Sequence, residues 1–382
     1  MPESTSDHTP AYISSPAEAD SSLASIVDVP AIAVDTEGAS FHRFVDRIYL
    51  LQLSTRTQTA ILDPLTIGKP DRLGRLLENE EVEVVFHDAD YDLRLLHQDY
   101  GWQTTHIFDT RVAAQLLGIR AFGLAALLER YFGIKLEKKH QRADWSMRPL
   151  PQDMLDYAAQ DTMYLLDLRD RMRADLEAAG RLDWAREEFQ RLEGTRWEGE
   201  PDGNGFLRIK GTRDLNRRQL AIFRELVSWR DEVARELDRA TFRVAGNEAL
   251  LEVARQAPRT LDALTSIRGV PRGIAGRRGK EILDAIQRGL DVPDSELPRF
   301  PRAPRWERDS DFDARVTRLR AVREAAASRL ALDPGVLVSR DRLEAIARLR
   351  PTTLDELLTV PDLRRWQARE IGEGVLEAVR GE

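Results

Sequence analysis

The sequence predicts an α/β domain followed by two small all-α domains. Three observations carry that expectation. Short apolar runs come first and then alternate with helical patterns, as in a mixed sheet covered by helices. Beyond residue 211 the pattern is almost entirely helical and repeats itself with an offset of 93, so that Leu250 falls on Leu343 and Thr260-Leu261-Asp262 on Thr353-Leu354-Asp355. The charge is also divided: residues 1–204 carry a net −14, residues 205–306 a net +7 and residues 307–382 a net −1.

With 382 residues the chain exceeds one ordinary core. The expected units are a disordered tail over 1–28, a catalytic α/β domain over 29–196 and a linker over 197–211. A helical domain over 212–293, a Pro-rich linker over 294–308 and a second helical domain over 309–382 complete the chain. The tail is rich in Ser, Ala, Pro and acids, without the basic start or apolar middle of a secretory signal. No apolar run approaches a membrane span. The absence of cysteine excludes disulfides and thiolate zinc sites and suits a reducing cytoplasm. Six histidines without paired spacing leave oxygen ligands, and hence hard cations, as the basis for any metal chemistry.

In chain order, Ala31–Glu37, Ile48–Leu53 and Thr59–Leu62 read as three strands in an antiparallel meander. Leu73, Leu76 and Leu77 mark a helix, Val82–Phe86 a strand, and Asp88–Tyr100 a helix stopped by Gly101. A short strand at Thr105–Phe108 precedes helices at 110–118 and 123–132. Residues 151–179 read as one long helix ended by Gly180. Between them, Lys138, Lys139, Arg142 and Arg148 surround Trp145 in a stretch without period. Such a loop suits contact with a phosphodiester backbone and stacking on a base; a surface loop pinned by a packed Trp fits almost as well.

Asp35 and Glu37 end a buried-strand pattern and, two apart, share one face. Thr36 points the other way and reads as a packing residue. Asp88, Asp90 and Asp92 cluster at a strand-to-helix junction. Asp161 lies in the helical stripe of Tyr157, Tyr164 and Leu168, four residues from Tyr157. A carboxylate in an apolar stripe is costly unless it is paired or coordinated. Oxygen-only clusters suit two Mg2+ or Mn2+ ions about 3.5–4 Å apart, and a phenol beside Asp161 is able to orient a water without ionising.

Asp35-x-Glu37, the acids of His87-Asp-Ala-Asp-Tyr-Asp92, and Tyr157-x-x-x-Asp161 resemble the three exonuclease motifs of the DEDD superfamily, in its Tyr-bearing branch. Phe86-His87-x-Ala89-x-x-Asp92-Leu93, Asp144-Trp145-x-x-Arg148-Pro149-Leu150 and Tyr157-Ala158-Ala159-x-Asp161 resemble ribonuclease D. The resemblance covers about residues 31–180. It implies a ribonuclease H-like fold and metal-dependent 3'-to-5' hydrolysis of RNA. Asp35, Glu37, Asp92 and Asp161 carry over as metal ligands and Tyr157 as the group positioning the water; Asp88 and Asp90 are extra acids beside Asp92.

The repeated half resembles HRDC domains, which bind nucleic acid. Its first copy carries the basic cluster Arg272, Arg277, Arg278 and Lys280, and the second replaces it with mixed charge. The second is expected to pack on the first or to help enclose the substrate. The expectation is a cytoplasmic, monomeric 3'-to-5' exoribonuclease trimming structured RNA such as tRNA precursors, with no membrane and no obligate protein partner. A DNA 3'-to-5' exonuclease and a catalytically inactive nucleic-acid-binding protein are the alternatives.

Overall fold

The computed structural model describes residues 9–26, 28–136, 139–199, 203–301 and 309–381. Its first half is a six-stranded mixed sheet with strands ordered β1-β4-β3-β2-β5-β6. The strands are β1 (Ala11–Ile13), β2 (Ala31–Glu37), β3 (Leu50–Ser54), β4 (Thr59–Leu62), β5 (Glu83–Phe86) and β6 (Ile107–Asp109). β2, β3 and β4 form the expected antiparallel meander, while β5 and β6 add in parallel beyond β2. Helices α1 (Pro16–Ala24), α2 (Pro64–Ile67), α3 (Asp71–Leu77), α4 (Asp90–Tyr100), α5 (Thr110–Leu116), α6 (Leu124–Phe132), α7 (Gln152–Met163), α8 (Leu165–Ala178) and α9 (Leu182–Leu192) complete this domain.

Two expectations need correction. The predicted disordered tail contributes β1 and α1 to the fold; its first eight residues lie outside the described residues. β1 pairs in parallel with β4, Tyr12 donates to Asp63 at 2.5 Å, and Ile13, Ala19, Leu23 and Ile26 are buried. The tail's low hydrophobicity hid four well-placed apolar residues. The long helix over 151–179 is two helices, because the backbone at Tyr164 leaves helical geometry (φ −105°, ψ 0°). Neither Gly nor Pro marks that break. The Thr162 hydroxyl is bonded to Ser54 on β3 at 2.8 Å, and Leu165 and Leu166 are buried just after it. α7 thus follows the sheet while α8 turns into the next core.

The helical half consists of two repeats. The first contains α10 (Arg217–Glu236), α11 (Thr241–Val244), α12 (Asn247–Gln256), α13 (Leu261–Ser266) and α14 (Arg272–Asp291). The second contains α15 (Phe312–Leu330), α16 (Pro334–Leu337), α17 (Arg340–Leu349), α18 (Leu354–Leu357) and α19 (Arg365–Arg380). The offset of 93 survives in detail, since α11 and α12 match α16 and α17 residue for residue. A Cβ at Gly279 would meet Leu261 Cδ2 at 2.5 Å, and one at Gly372 would meet the equivalent Leu354 even closer. Glycine at those two positions lets the last helix approach a short one.

The repeats attach differently. The first has its own apolar core, against which Phe44 of the nuclease domain packs, and otherwise touches that domain through polar contacts and a ring pair. Arg43 pairs with Asp238 at 3.0 Å, and Phe41 meets Phe242 edge to face at 6.2 Å. The second shares one core with the nuclease domain, running from Leu116, Leu127 and Phe189 to Leu319, Leu337 and Trp366. Trp184 stacks on Trp366 at 4.7 Å, and Glu188 accepts from Trp366 Nε1 at 3.0 Å and Arg364 Nε at 3.1 Å. Glu187 takes the amides of Arg365 and Trp366, supplying the N-terminal cap of α19 from another domain. Of the two roles expected for the second copy, packing on the first is therefore corrected: its apolar face is seated on α9 and against the end of α5.

Removing residues 1–26 is expected to destabilise the nuclease domain by at least about 3 kcal/mol, since it strips β1 from β4 and removes four buried apolar side chains. Urea unfolding of full-length and truncated protein checks this. An unchanged midpoint would restore the reading of that segment as a disordered tail.

Candidate active site

β2 outruns its parallel neighbour: the β5 register stops at Ala33–Val85, while β2 continues to Glu37. The last residues of β2 therefore stand at an open switch point where one flank has lost its ladder partner. Asp92 fills the gap. Its Oδ1 accepts from the Thr36 amide at 2.9 Å and from the Thr36 hydroxyl at 2.6 Å. Thr36 is thus more than the packing residue its position on the strand suggests, because it fixes the third acid.

The approach of α4 is organised by Asp109. This buried carboxylate caps α5 through the amides of Arg111 and Val112 and also accepts from the amides of Asp88 and Ala89. One side chain ties the start of α5 to the turn after β5, and α4 then carries Asp92 back toward β2. Asp88 and Asp90 point elsewhere: Asp88 pairs with Arg111 and Asp90 with Arg94 at 2.8 Å. Asp88 lines the edge of the same cleft in that pairing, and among the three clustered acids Asp92 alone is fixed to β2. His87 is bonded through Nδ1 to Thr110 Oγ1 at 2.9 Å, and burial pushes its imidazole down to about 4, so it is neutral at neutral pH.

α7 packs across β2, β3 and β4 and brings Asp161 to the end of β2. Carboxylate oxygens of Asp35, Glu37 and Asp161 lie within 4.8 Å of one another. These three, with Asp92 and Tyr157, line one cleft of about 770 Å³. Among the described residues, no Lys, Arg or His forms an ion pair with any of the four acids.

The electrostatic result is uniform. Burial, then the charge of Asp161, holds the Asp35 carboxyl well above the ordinary carboxylate range. Burial and the charges of Asp35, Asp161 and Asp92 do the same for Glu37, and burial with Asp35 does so for Asp92 despite the Thr36 bonds. Burial, then Asp92, pushes Asp161 up to about 7. Four acids that resist ionising together form a site built for positive charge. An all-oxygen donor set of this kind fits a hard divalent cation. Burial and three neighbouring carboxylates also raise the Tyr157 phenol, which stays protonated.

The domain's fold, its acid cluster and its helical repeats can be compared with known proteins. A 3'-5' exonuclease family profile matches residues 10–177, and an HRDC profile matches residues 219–286 and again 312–379. A ribonuclease D from Nitrobacter hamburgensis is 32% identical over 375 residues, covering 97% of this chain and 95% of the relative. The chain belongs to the ribonuclease D family. It is a 3'-5' exoribonuclease. The ribonuclease D of Escherichia coli is 31% identical over 289 residues, which is 73% of this chain and 76% of that protein. A crystal structure of a Bifidobacterium adolescentis protein superposes with a TM-score of 0.83 at 28% identity, covering 97% of each chain.

The residues expected to contact RNA divide sharply. Trp145 is only 1% exposed and packs between the sheet and α7, so it cannot stack on a base; its indole Nε1 has no partner among the described residues. Arg148 is also structural, with both Asp63 oxygens at 2.6 and 2.7 Å and the carbonyls of Tyr49, Trp145 and Met147. For these two the packed-loop reading holds. Lys138 lies outside the described residues. Lys139 is exposed and paired with Asp153 at 2.8 Å, and Arg142 is exposed with its guanidinium over Phe41. Arg278 is held by Glu236 at 2.6 Å, whereas Arg272, Arg277 and Lys280 are exposed.

Sequence reasoning missed Arg111, Arg120, Phe122 and Gln141, which also line the cleft. Nothing in their local pattern separates them from surface residues, since they converge only through the packing of α5 and α6. It also missed Gln52, fully buried directly across from Asp35 with both amide atoms unpartnered among the described residues.

Thr36→Val is expected to weaken Mg2+ binding and to lower kcat about tenfold or more, because it frees one side of Asp92 without changing volume. Isothermal titration and single-turnover cleavage check this. A second expectation follows from Asp161. In the metal-free fold this group keeps its proton up to about 7, whereas the unfolded chain releases it near the ordinary value of 3.8. The folded state then binds more protons across that window, so this group's contribution destabilises progressively as pH rises through it. A cation binds the ionised form. Millimolar Mg2+ should therefore raise Tm more at pH 8 than at pH 5.5, and Asp161→Asn should shrink the difference.

Proposed function

We propose that this ribonuclease D removes nucleotides from the 3' ends of structured RNAs such as tRNA precursors, using two divalent cations, Mg2+ or Mn2+. The observation that carries the reading is the convergence of Asp35, Glu37 and Asp161 within 4.8 Å beside Asp92, with none of the four in an ion pair among the described residues. Asp35, Glu37, Asp92 and Asp161 are the residues that would hold the ions. Bound divalent cations supply the positive charge that makes water acidic and offsets charge on the departing oxygen.

The chain's own groups do the rest. Asp35, with a carboxylate oxygen within 4.8 Å of those of Glu37 and Asp161, would hold the ions together with them. Tyr157, kept protonated, acts as a hydrogen-bonding group that orients the attacking water and does not serve as the base. Thr36 holds Asp92 against drift, and the neutral His87 adds no charge to a site that already selects a cation. Arg111 and Arg120 stand at the rim, where a phosphodiester would enter.

Substrate delivery falls to exposed basic residues. Arg142 on the nuclease domain and Arg272, Arg277 and Lys280 on the first repeat are the proposed phosphate contacts, with Lys139 beside them. The positive balance of residues 205–306 supports this. The Escherichia coli relative is described as an exoribonuclease involved in structured RNA processing, in keeping with the same substrate class. No described helix is long and apolar enough to cross a membrane. A monomer working in the cytoplasm fits a chain that carries its own RNA-binding repeats and no cysteine.

Asp35→Asn and Asp161→Asn are each expected to abolish single-nucleotide release from 3'-extended tRNA while leaving RNA affinity within about threefold, since neither removes a proposed phosphate contact. Gel-resolved products with each divalent metal, beside binding in EDTA, check this. Nucleotide release at the wild-type rate by both variants would refute the assignment. Equal degradation of a matched DNA strand would favour a broader 3'-5' exonuclease.

A further inference from the structure

The catalytic cleft holds an excess of negative charge, and the seam between the nuclease domain and the second repeat holds the reverse. A cavity of about 1120 Å³ lies in that seam, with Arg120, Arg191, Arg342 and Arg364 on its walls against two acids, Glu188 and Asp333. Both acids are engaged. Glu188 accepts from Arg364 and Trp366 and stands 3.5 Å from Arg191, while Asp333 caps α16 through the Gly335 amide at 2.7 Å.

Arg342 is left with little. Its nearest carboxylate, the solvent-exposed Asp362, is 4.0 Å away. Burial, then repulsion from Arg364, holds its guanidinium below the ordinary arginine value. A half-buried arginine beside two others is costly unless an anion completes the site. Arginine in such a setting favours the planar, two-point recognition of phosphate.

The position of the cavity identifies the anion. Arg120 and Phe122 line both the seam and the catalytic cleft, so the two cavities adjoin at these residues. Phe122 stands at the junction, with Arg111 over its ring at 5.0 Å. A strand with its 3' end among the carboxylates is carried past Phe122 toward Arg342.

We propose that the seam binds the phosphodiester backbone of the RNA substrate 5' of the nucleotide being removed, with Arg342 and Arg120 as phosphate contacts. The second repeat, which lacks the basic cluster of the first, thereby contributes to substrate binding through the face it shares with the nuclease domain. This deepens the assignment of RNA as substrate and rests on it.

The test uses full-length protein with Arg342→Gln and with Arg120→Gln, the latter an exposed position whose replacement leaves the seam packing intact. Anisotropy of a labelled single-stranded RNA in EDTA reads binding without cleavage, and dinucleotide turnover with Mg2+ reads the carboxylate site alone. Each variant is expected to weaken binding of the long RNA about tenfold and to reduce the salt dependence by about one phosphate contact, with dinucleotide turnover unchanged in Arg342→Gln, which lies outside the catalytic cleft. Wild-type affinity and salt slope in both variants would overturn the proposal. So would weakened binding of a nucleoside 5'-monophosphate with long-RNA affinity unaffected, which would make the seam a product site. Failure of the wild type to turn over either RNA, with the binding losses intact, would count against the nuclease assignment and leave the seam as an RNA site.

Discussion

Like charges held near hydrogen-bonding distance repel, and much of the nuclease domain serves to keep that repulsion from relaxing. Asp35 and Glu37 are fixed by a strand whose backbone is paired to β3. Asp161 is fixed by a helix packed on three strands, and Asp92 by two bonds to Thr36. Asp92 is buried and the other three are only partly exposed, so their energy is lowered by holding protons or by accepting a cation. The fit of the site to a divalent metal follows from that constraint. Asp109 contributes at a distance, since its four backbone contacts set the turn from which α4 departs.

Much of this was legible in the residues. The acids of β2 announce themselves as paired carboxylates after an apolar run, and Asp161 as a charge within an apolar stripe. The repeat of 93 was readable because each copy buries the same face. What was hidden depends on tertiary contacts. Trp145 and Arg148 look like a nucleic-acid loop because an aromatic among basic residues has the same composition whether it faces solvent or core. Only Asp63, 85 positions before Arg148, shows which. Thr36 looked inert because its partner, Asp92, is 56 residues away. The fold of residues 11–24 was missed because a short edge strand needs few apolar residues when β4 is already in place.

The two helical repeats show how one motif takes on two roles. Both keep the glycine that admits a leucine, at Gly279 and Gly372, and both keep the same succession of short helices. The first leaves its basic residues outward and touches the nuclease domain lightly. The second has turned a face with Trp366 and Arg364 inward, where Glu187 and Glu188 of α9 receive it. Divergence between the copies therefore lies on their surfaces, with the internal packing retained.

The shared core between the nuclease domain and the second repeat alters the meaning of the connection between the repeats. A segment whose two ends are each seated by independent contacts has no orienting duty; it only has to reach. The entropy of closing such a loop grows with the logarithm of its length, at about 0.6 kcal/mol per doubling. The length of that connection is thus nearly neutral for stability. The second repeat is, in effect, a part of the catalytic domain encoded at the far end of the chain.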